Sequence, residues 1–337
     1  MAKTIAINGF GRIGRLVFRN AMEMGDLQVA AVNDIAPLDN LVYLLRHDSV
    51  QRTPDVDIRA DGDTLHWGDR AVKFTSEKDP GQLPWKELGV DIAIEGTGLF
   101  TKADDARKHL EAGAEYTLIT APGKGDIDLT VCMGVNEEML DLQTHRIISN
   151  ASCTTNCLAP VAKVLHEAFG IETGFLTTIH AYTSSQAIVD APAKKWRRGR
   201  AGAMNIVPTS TGAAVATTEV LPQLKGRLDG MAMRVPIPVG SICDFVVRTE
   251  KPVGSVDAVN EEFRKAANSA GMKGILGASD EELVSSDIIG SNYSSLVDLG
   301  STMVLGDRTV KALSWYDNEW GYARRVVDLA RYIAERI

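Results

Sequence analysis

The chain has 337 residues, 45% hydrophobic and 24% charged, which is length enough for about two domains and too apolar for wholesale disorder. Its 36 basic and 44 acidic residues give a formal net charge of −8, so no whole-surface attraction draws it to nucleic acid. Four cysteines, Cys132, Cys153, Cys157 and Cys243, are too few for a disulfide framework.

No run approaches the ~18 uninterrupted apolar residues of a membrane span. The start, Met1-Ala2-Lys3-Thr4-Ile5, lacks the basic and apolar regions of a secretory signal. A cytoplasmic location with no membrane partner is the expectation. Apolar runs at Thr4–Asn8, Gln28–Val32, Ile92–Glu95, Tyr116–Thr120 and His145–Asn150 predict strands. The amphipathic stretches Arg12–Met24 and Ala103–Ala112 predict helices between them, the pattern of a parallel sheet with crossover helices. Beyond residue 150 the pattern changes. Gly174–Thr183, Gly230–Arg248 and Ser301–Trp315 read as antiparallel strands, with Gly306-Asp307 as a hairpin turn. Ser255–Ala270 reads as a helix, and Gly321–Arg336 as a terminal helix with Val326, Leu329, Ala330 and Ile333 on one face.

The first strand leads into Gly9-Phe-Gly11-Arg12-Ile13-Gly14, a G-x-G-x-x-G turn that opens a helix. Asp34 follows 20 residues after Gly14, at the end of the second strand. Glycines let the backbone approach a pyrophosphate, and the helix N-terminus supplies N–H donors. A carboxylate at Asp34 accepts ribose hydroxyls and repels a 2′-phosphate, which favours NAD over NADP. Arg12 is either an added phosphate contact or a solvated helix-start arginine.

Ser149-Asn-Ala-Ser-Cys153-Thr-Thr-Asn-Cys157 lies where a strand ends and an apolar helix begins. Helix-start N–H groups and the positive end of the macrodipole favour a thiolate at Cys153. Cys157 reads as a packing thiol, and no further ligands stand at zinc-like spacing, so no metal is expected. His180 closes an apolar run and opens a polar loop, a position suited to a proton partner. His47, His66, His109, His145 and His166 read as surface residues.

These segments resemble phosphorylating glyceraldehyde-3-phosphate dehydrogenases. The resemblance rests on Asn8-Gly-Phe-Gly-Arg-Ile-Gly14, the nonapeptide around Cys153, His180-Ala-Tyr-Thr183, Thr209-Ser-Thr-Gly-Ala213, Arg234-Val-Pro236 and Ser314-Trp-Tyr-Asp-Asn-Glu-Trp-Gly-Tyr322. They occur in family order over essentially the whole chain. The resemblance implies an α/β fold, with a Rossmann NAD-binding domain over 1–150 joined by the C-terminal helix 318–337. It implies an α+β catalytic domain over 151–317 with a mainly antiparallel sheet, and a homotetramer. The segment 181–204 resembles the family's S-shaped loop, so its basic run Lys194–Arg200 reads as interface or solvated loop rather than a nucleic-acid site.

The implied reaction converts D-glyceraldehyde 3-phosphate, inorganic phosphate and NAD to 1,3-bisphosphoglycerate and NADH through a Cys153 hemithioacetal and thioester, with His180 as base. By the same resemblance Thr183 and Arg234 hold the substrate phosphate. Ser152, Thr154, Thr211 and Gly212 hold the attacking phosphate. Asn318 and Tyr322 lie by the nicotinamide, and Thr97 and Thr120 line the cofactor with the glycine turn. Val239-Gly-Ser241 departs from the commoner Asn-Val-Ser, Ser185 stands where some members carry Asp, and Ala191-Pro192 keeps the Pro of NAD-specific members while leaving some use of NADP open. Erythrose-4-phosphate dehydrogenase is the nearest alternative, and His180-Ala-Tyr-Thr and Thr211-Gly212 argue against it. Aspartate-semialdehyde dehydrogenase is more distant, and a binding protein on the same fold is the alternative from another class.

Overall fold

A computed structural model describes residues 3–337. The chain divides into two compact units. One comprises residues up to Val131 with Glu137–Ser152 and Ala323–Ile337; the other comprises Cys132–Asn136 and Cys153–Tyr322.

The first unit runs β1 (Thr4–Asn8), α1 (Arg12–Met24), β2 (Gln28–Asn33), α2 (Leu38–Arg46), β3 (Ile58–Asp61), β4 (Thr64–Trp67), β5 (Arg70–Thr75), β6 (Ile92–Glu95), α3 (Ala103–Glu111), β7 (Tyr116–Ile119), β8 (Leu129–Thr130) and β9 (Ile147–Ser149). Its nine-stranded sheet has the order β3-β4-β5-β2-β1-β6-β7-β9-β8. From β5 to β8 every neighbouring pair is parallel. β6 and β7 are buried along their whole length, as a parallel sheet covered on both faces requires, which is why they read as unbroken apolar runs. Helix α1 ends at Gly25, whose φ of 73° supplies the left-handed turn, with its N–H on Ala21 O. The antiparallel edge β3-β4-β5 and helix α2 were absent from the sequence expectations.

The second unit runs α4 (Cys153–Phe169), β10 (Ile171–Ala181), β11 (Val207–Ser210), α5 (Ala213–Val220), β12 (Leu228–Val235), β13 (Ser241–Thr249), α6 (Val256–Asn268), β14 (Leu276–Ser279), β15 (Ser295–Leu305), β16 (Thr309–Tyr316) and α7 (Trp320–Ala334), the last continuing into the first unit. Its sheet has the order β11-β12-β10-β13-β16-β15-β14. Two pairings are parallel, β10 with β12 and β14 with β15; the segments Gly174–Thr183 and Gly230–Arg248, which hold most of β10 and β12, read as antiparallel strands in the sequence. The other four are antiparallel, so the sheet is mainly antiparallel. Alternation alone shows that a strand has two faces and carries no information on its direction. Helix α4 packs on β10, β13, β15 and β16. The opposite face carries the exposed Phe175, Met231, Val246, Met303 and Leu305, which the strand registers place on one side.

Candidate active site

In the first unit the glycine turn joins β1 to α1. A side chain at Gly14 would stand 1.9 Å from Gly9 O, and one at Gly9, whose φ is +92°, would meet Thr97 N at 2.5 Å. Gly11 faces open space, with nothing within 4 Å of its missing Cβ. Two glycines therefore bring the turn, α1 and the Thr97 loop together, and the third leaves the surface clear. A cavity of about 440 Å³ opens there, lined by Gly9, Gly11, Asp34, Gly96 and Thr97 among others. Asp34 is oriented by two backbone N–H groups: Phe10 N donates to Oδ2 at 2.7 Å and Ala36 N to Oδ1 at 2.9 Å. Ile13 and Gly14 present N–H groups in the first turn of α1. Thr97 N donates to the Glu95 carboxylate at 2.8 Å, and the Thr120 hydroxyl donates to Glu95 O at 3.1 Å. This donor-rich cradle, open at Gly11, suits a dinucleotide phosphate. Arg12 pairs with Asp48 at 2.6 Å.

In the second unit Cys153 is the first residue of α4. Two residues earlier, Ala151 adopts φ 55°, a left-handed conformation costing a non-glycine residue roughly 1–3 kcal/mol, and such strain clusters at functional sites. Cys153 Sγ lies 3.5 Å from His180 Nε2. His180 stands near the end of β10, in parallel register with Arg234 of β12, and Arg234 Nη1 reaches His180 Nδ1 at 2.7 Å. Tyr316 OH bridges the hydroxyls of Thr154 and Thr178, each at 2.9 Å, and its ring meets the His180 ring edge-on at 5.9 Å.

Burial opposes the thiolate expected from the helix start. Burial pushes the Cys153 thiol above its ordinary pKa, and the pull of Arg234 and the hydrogen bonds of Thr154 only partly offset it. The helix start pulls the other way, toward the thiolate, by about 0.3–1 kcal/mol, and the Cys153 side chain keeps a partly open surface. His180, 3% exposed, is held down to about 3 by burial first and Arg234 second. Burial thus favours the uncharged form of both groups.

Two partners compete for His180 Nδ1. Arg234 is a donor only, so its contact puts the ring proton on Nε2. Ala181 O, also 2.7 Å from Nδ1, accepts only, so that contact puts the proton on Nδ1.

Around this group Thr183 and Ser185 share a hydrogen bond of 2.8 Å, and Arg198 Nε donates to Thr209 at 3.1 Å. Arg198 is partly buried while most of the basic run around it is exposed, so it is an anion-site candidate that the sequence reading left in the loop. Thr211 receives Ala213 N at 3.1 Å, and the exposed Gly212 caps α5. Ser152 is partly exposed. Thr154 is buried, with its hydroxyl 2.9 Å from Tyr316 OH and both its hydroxyl and its backbone N–H directed at the Cys153 sulfur. Asn318 is held through Oδ1 by Ser241 Oγ at 2.8 Å, and Ser241 Oγ also receives Ala181 N at 3.1 Å. Tyr322 is buried in the first turn of α7. Ser241 and Tyr316 were missed as site residues; Tyr316 lay inside a quoted motif, while Ser241 lay in the segment read as a departure.

Of the other histidines, His47 is exposed and His66, His145 and His166 are partly exposed. Cys157 is buried against Ser295 and Ser314, a packing thiol. His109 is fully buried rather than on the surface, because the same face of α3 that carries it also carries Ala106 inward.

Residues 3–103 match the family model of the glyceraldehyde 3-phosphate dehydrogenase NAD binding domain, and residues 152–318 match that of the C-terminal domain. The glyceraldehyde-3-phosphate dehydrogenase of Geobacillus stearothermophilus is 53% identical over 336 residues, covering 100% of this chain and 99% of that protein. Those of Priestia megaterium and Streptomyces coelicolor are 52% and 50% identical, covering all of this chain and 99% and 100% of theirs. With a glycine cradle for a dinucleotide, a thiol–imidazole pair and matches along its length, the chain belongs to the glyceraldehyde-3-phosphate dehydrogenase family.

Proposed function

We propose that the chain oxidises D-glyceraldehyde 3-phosphate with NAD and inorganic phosphate to 1,3-bisphosphoglycerate, through a thioester on Cys153. The observation that carries this reading is the 3.5 Å approach of His180 Nε2 to Cys153 Sγ with Arg234 alongside. Residues 1–150 with the C-terminal helix 318–337 bind NAD, and residues 151–317 carry the chemistry.

Arg234 and Thr183 take the substrate phosphate. As Arg234 turns to it, His180 Nδ1 keeps Ala181 O as its partner, and Nε2 becomes the open acceptor. Nε2 takes the thiol proton, Sγ bonds to the aldehyde carbon, and that proton passes to the new alkoxide. NAD, when bound, supplies the hydride acceptor. As the hydride leaves the carbon, Nε2 takes the hydroxyl proton, and the C=O re-forms as a thioester. Inorganic phosphate, held by Ser152, Thr154, Thr211, Gly212 and Arg198, attacks that carbon. The C–S bond breaks, and the sulfur recovers its proton from His180.

Asp34 selects NAD by accepting ribose hydroxyls, and Asn318 and Tyr322 hold the nicotinamide. The outward apolar row of Phe175, Met231, Val246, Met303 and Leu305 supports a homotetramer through burial of one sheet face; sedimentation at four times the 36.4 kDa subunit mass checks it. The four free thiols suit a reducing compartment, and a cytoplasmic location is proposed.

The test is NADH formation from glyceraldehyde 3-phosphate with and without inorganic phosphate. Turnover with phosphate and a single stoichiometric burst without it are expected. Equal steady rates in both would reject phosphorolysis.

A further inference from the structure

Behind the cofactor cavity lies a buried polar chain that the reaction does not use. Glu95 ends β6 and is 1% exposed. Its Oε1 accepts Thr97 N at 2.8 Å and also the Thr97 hydroxyl. Its Oε2 accepts Asn8 Nδ2 at 2.6 Å and lies 3.1 Å from His109 Nε2. The indole N–H of Trp85 lies 3.0 Å from His109 Nδ1. An indole only donates, so Nδ1 accepts, the ring proton sits on Nε2, and Nε2–H donates to Glu95. On the other side Asn33 Nδ2 donates to Asn8 Oδ1 at 2.7 Å, and the Thr75 hydroxyl donates to Asn33 Oδ1 at 2.9 Å.

Donors thus run toward Glu95 from Trp85 and His109 at one end and from Thr75, Asn33 and Asn8 at the other, with the Asn33 amide also donating to Glu77 O at 2.9 Å. Four donors converge on two oxygens, so the group acts as an acceptor only. A buried carboxylate without a cationic partner is costly unless its hydrogen bonds are complete, and an apolar side chain would fill the space more cheaply. What the carboxylate alone does is orient Asn8 and Thr97, and both of these line the cofactor cavity, as does Asn33.

We infer that Glu95 is a positioning residue for the dinucleotide: it fixes the Asn8 amide and the Thr97 loop at the cavity wall, and His109, locked by Trp85, holds it from behind. This rests on the reading of that cavity as the NAD site. Its consequence is that NAD affinity is set partly by residues that the cofactor never touches.

The test measures NAD binding to the full-length cofactor-free protein by calorimetry, with thermal melting of the same samples without NAD. His109→Leu removes the donor to Glu95, and weakening by about tenfold is expected, the size of one lost hydrogen bond. His109→Gln keeps an N–H at that reach and is expected to restore binding to within about twofold of the unaltered protein. Glu95→Gln, which turns an N–H toward one of the four donors, is expected to weaken binding at least as much as His109→Leu. Should Glu95→Gln fail to fold, the two His109 variants decide. Melting temperatures lowered with unchanged NAD affinity would overturn the proposal, as would equal affinities for His109→Leu and His109→Gln. Absence of NAD binding by the unaltered protein would instead overturn the reading of the cavity.

Discussion

His180 and Arg234 stand side by side because β10 and β12 run parallel with these two residues in register, and the guanidinium reaches the imidazole at 2.7 Å. A cation at that distance disfavours a second one on the ring. Arg234→Leu removes that repulsion, so the pKa of His180 rises. The acid limb of kcat/KM for glyceraldehyde 3-phosphate then moves to higher pH, and KM rises by roughly tenfold or more with the loss of a charged phosphate contact. A pH–rate profile of the variant checks both. An unmoved acid limb would separate Arg234 from His180.

The low pKa of His180 also makes a stability prediction. The group titrates near 6.5 when unfolded and at about 3 when folded. Between those values the unfolded chain binds the extra proton, so stability rises with pH there and is lost as pH falls from 6.5 toward 3. The two values bound the loss at roughly 5 kcal/mol. His180→Asn carries no titrating ring, and its urea midpoint is expected to fall less steeply over that window. Its turnover is expected to drop by about 10²–10⁴-fold, as for a lost general base.

The glycine turn separates packing from binding. Gly14→Ala places a methyl 1.9 Å from Gly9 O and is expected to destabilise the first unit by several kcal/mol, on the order of a severe overpacking. Gly11→Ala meets nothing within 4 Å and is expected to melt like the unaltered protein while binding NAD about tenfold more weakly. Melting curves with NAD titrations distinguish the two.

Ser241 ties the end of β10 to Asn318 through one fully buried hydroxyl. Ser241→Ala leaves Ala181 N and Asn318 Oδ1 unpaired, at a cost of about 1–3 kcal/mol. KM for NAD is expected to rise more than KM for phosphate, because Asn318 is the residue set free. Steady-state kinetics with each substrate varied in turn would show it.

Much of this arrangement was legible in the residues. The strand–glycine turn–helix start of the first unit follows from local pattern, because periodicity and glycine spacing are local properties. Cys153 and His180 were legible as chemistry, by their position at element ends. Their partners were not. Arg234, placed by motif, meets His180 through a parallel strand pairing that alternation cannot specify, and Tyr316 joins Thr154 and Thr178 across 162 and 138 residues. The burial that opposes the thiolate at Cys153 was not legible either: a helix start is visible in sequence, whereas burial is a property of the fold. His109 was misread on the same ground, since a charged neighbourhood in sequence does not reveal which face of a helix turns inward.

The most direct measurement of the central claim is the mass of the Cys153 peptide after the protein, NAD and glyceraldehyde 3-phosphate are mixed and acid-quenched without inorganic phosphate. A phosphoglyceroyl thioester on Cys153 is expected, disappearing when phosphate is added before the quench and absent from Cys153→Ser. An unmodified Cys153 with NADH formed, or an acyl group on another residue, would contradict the account.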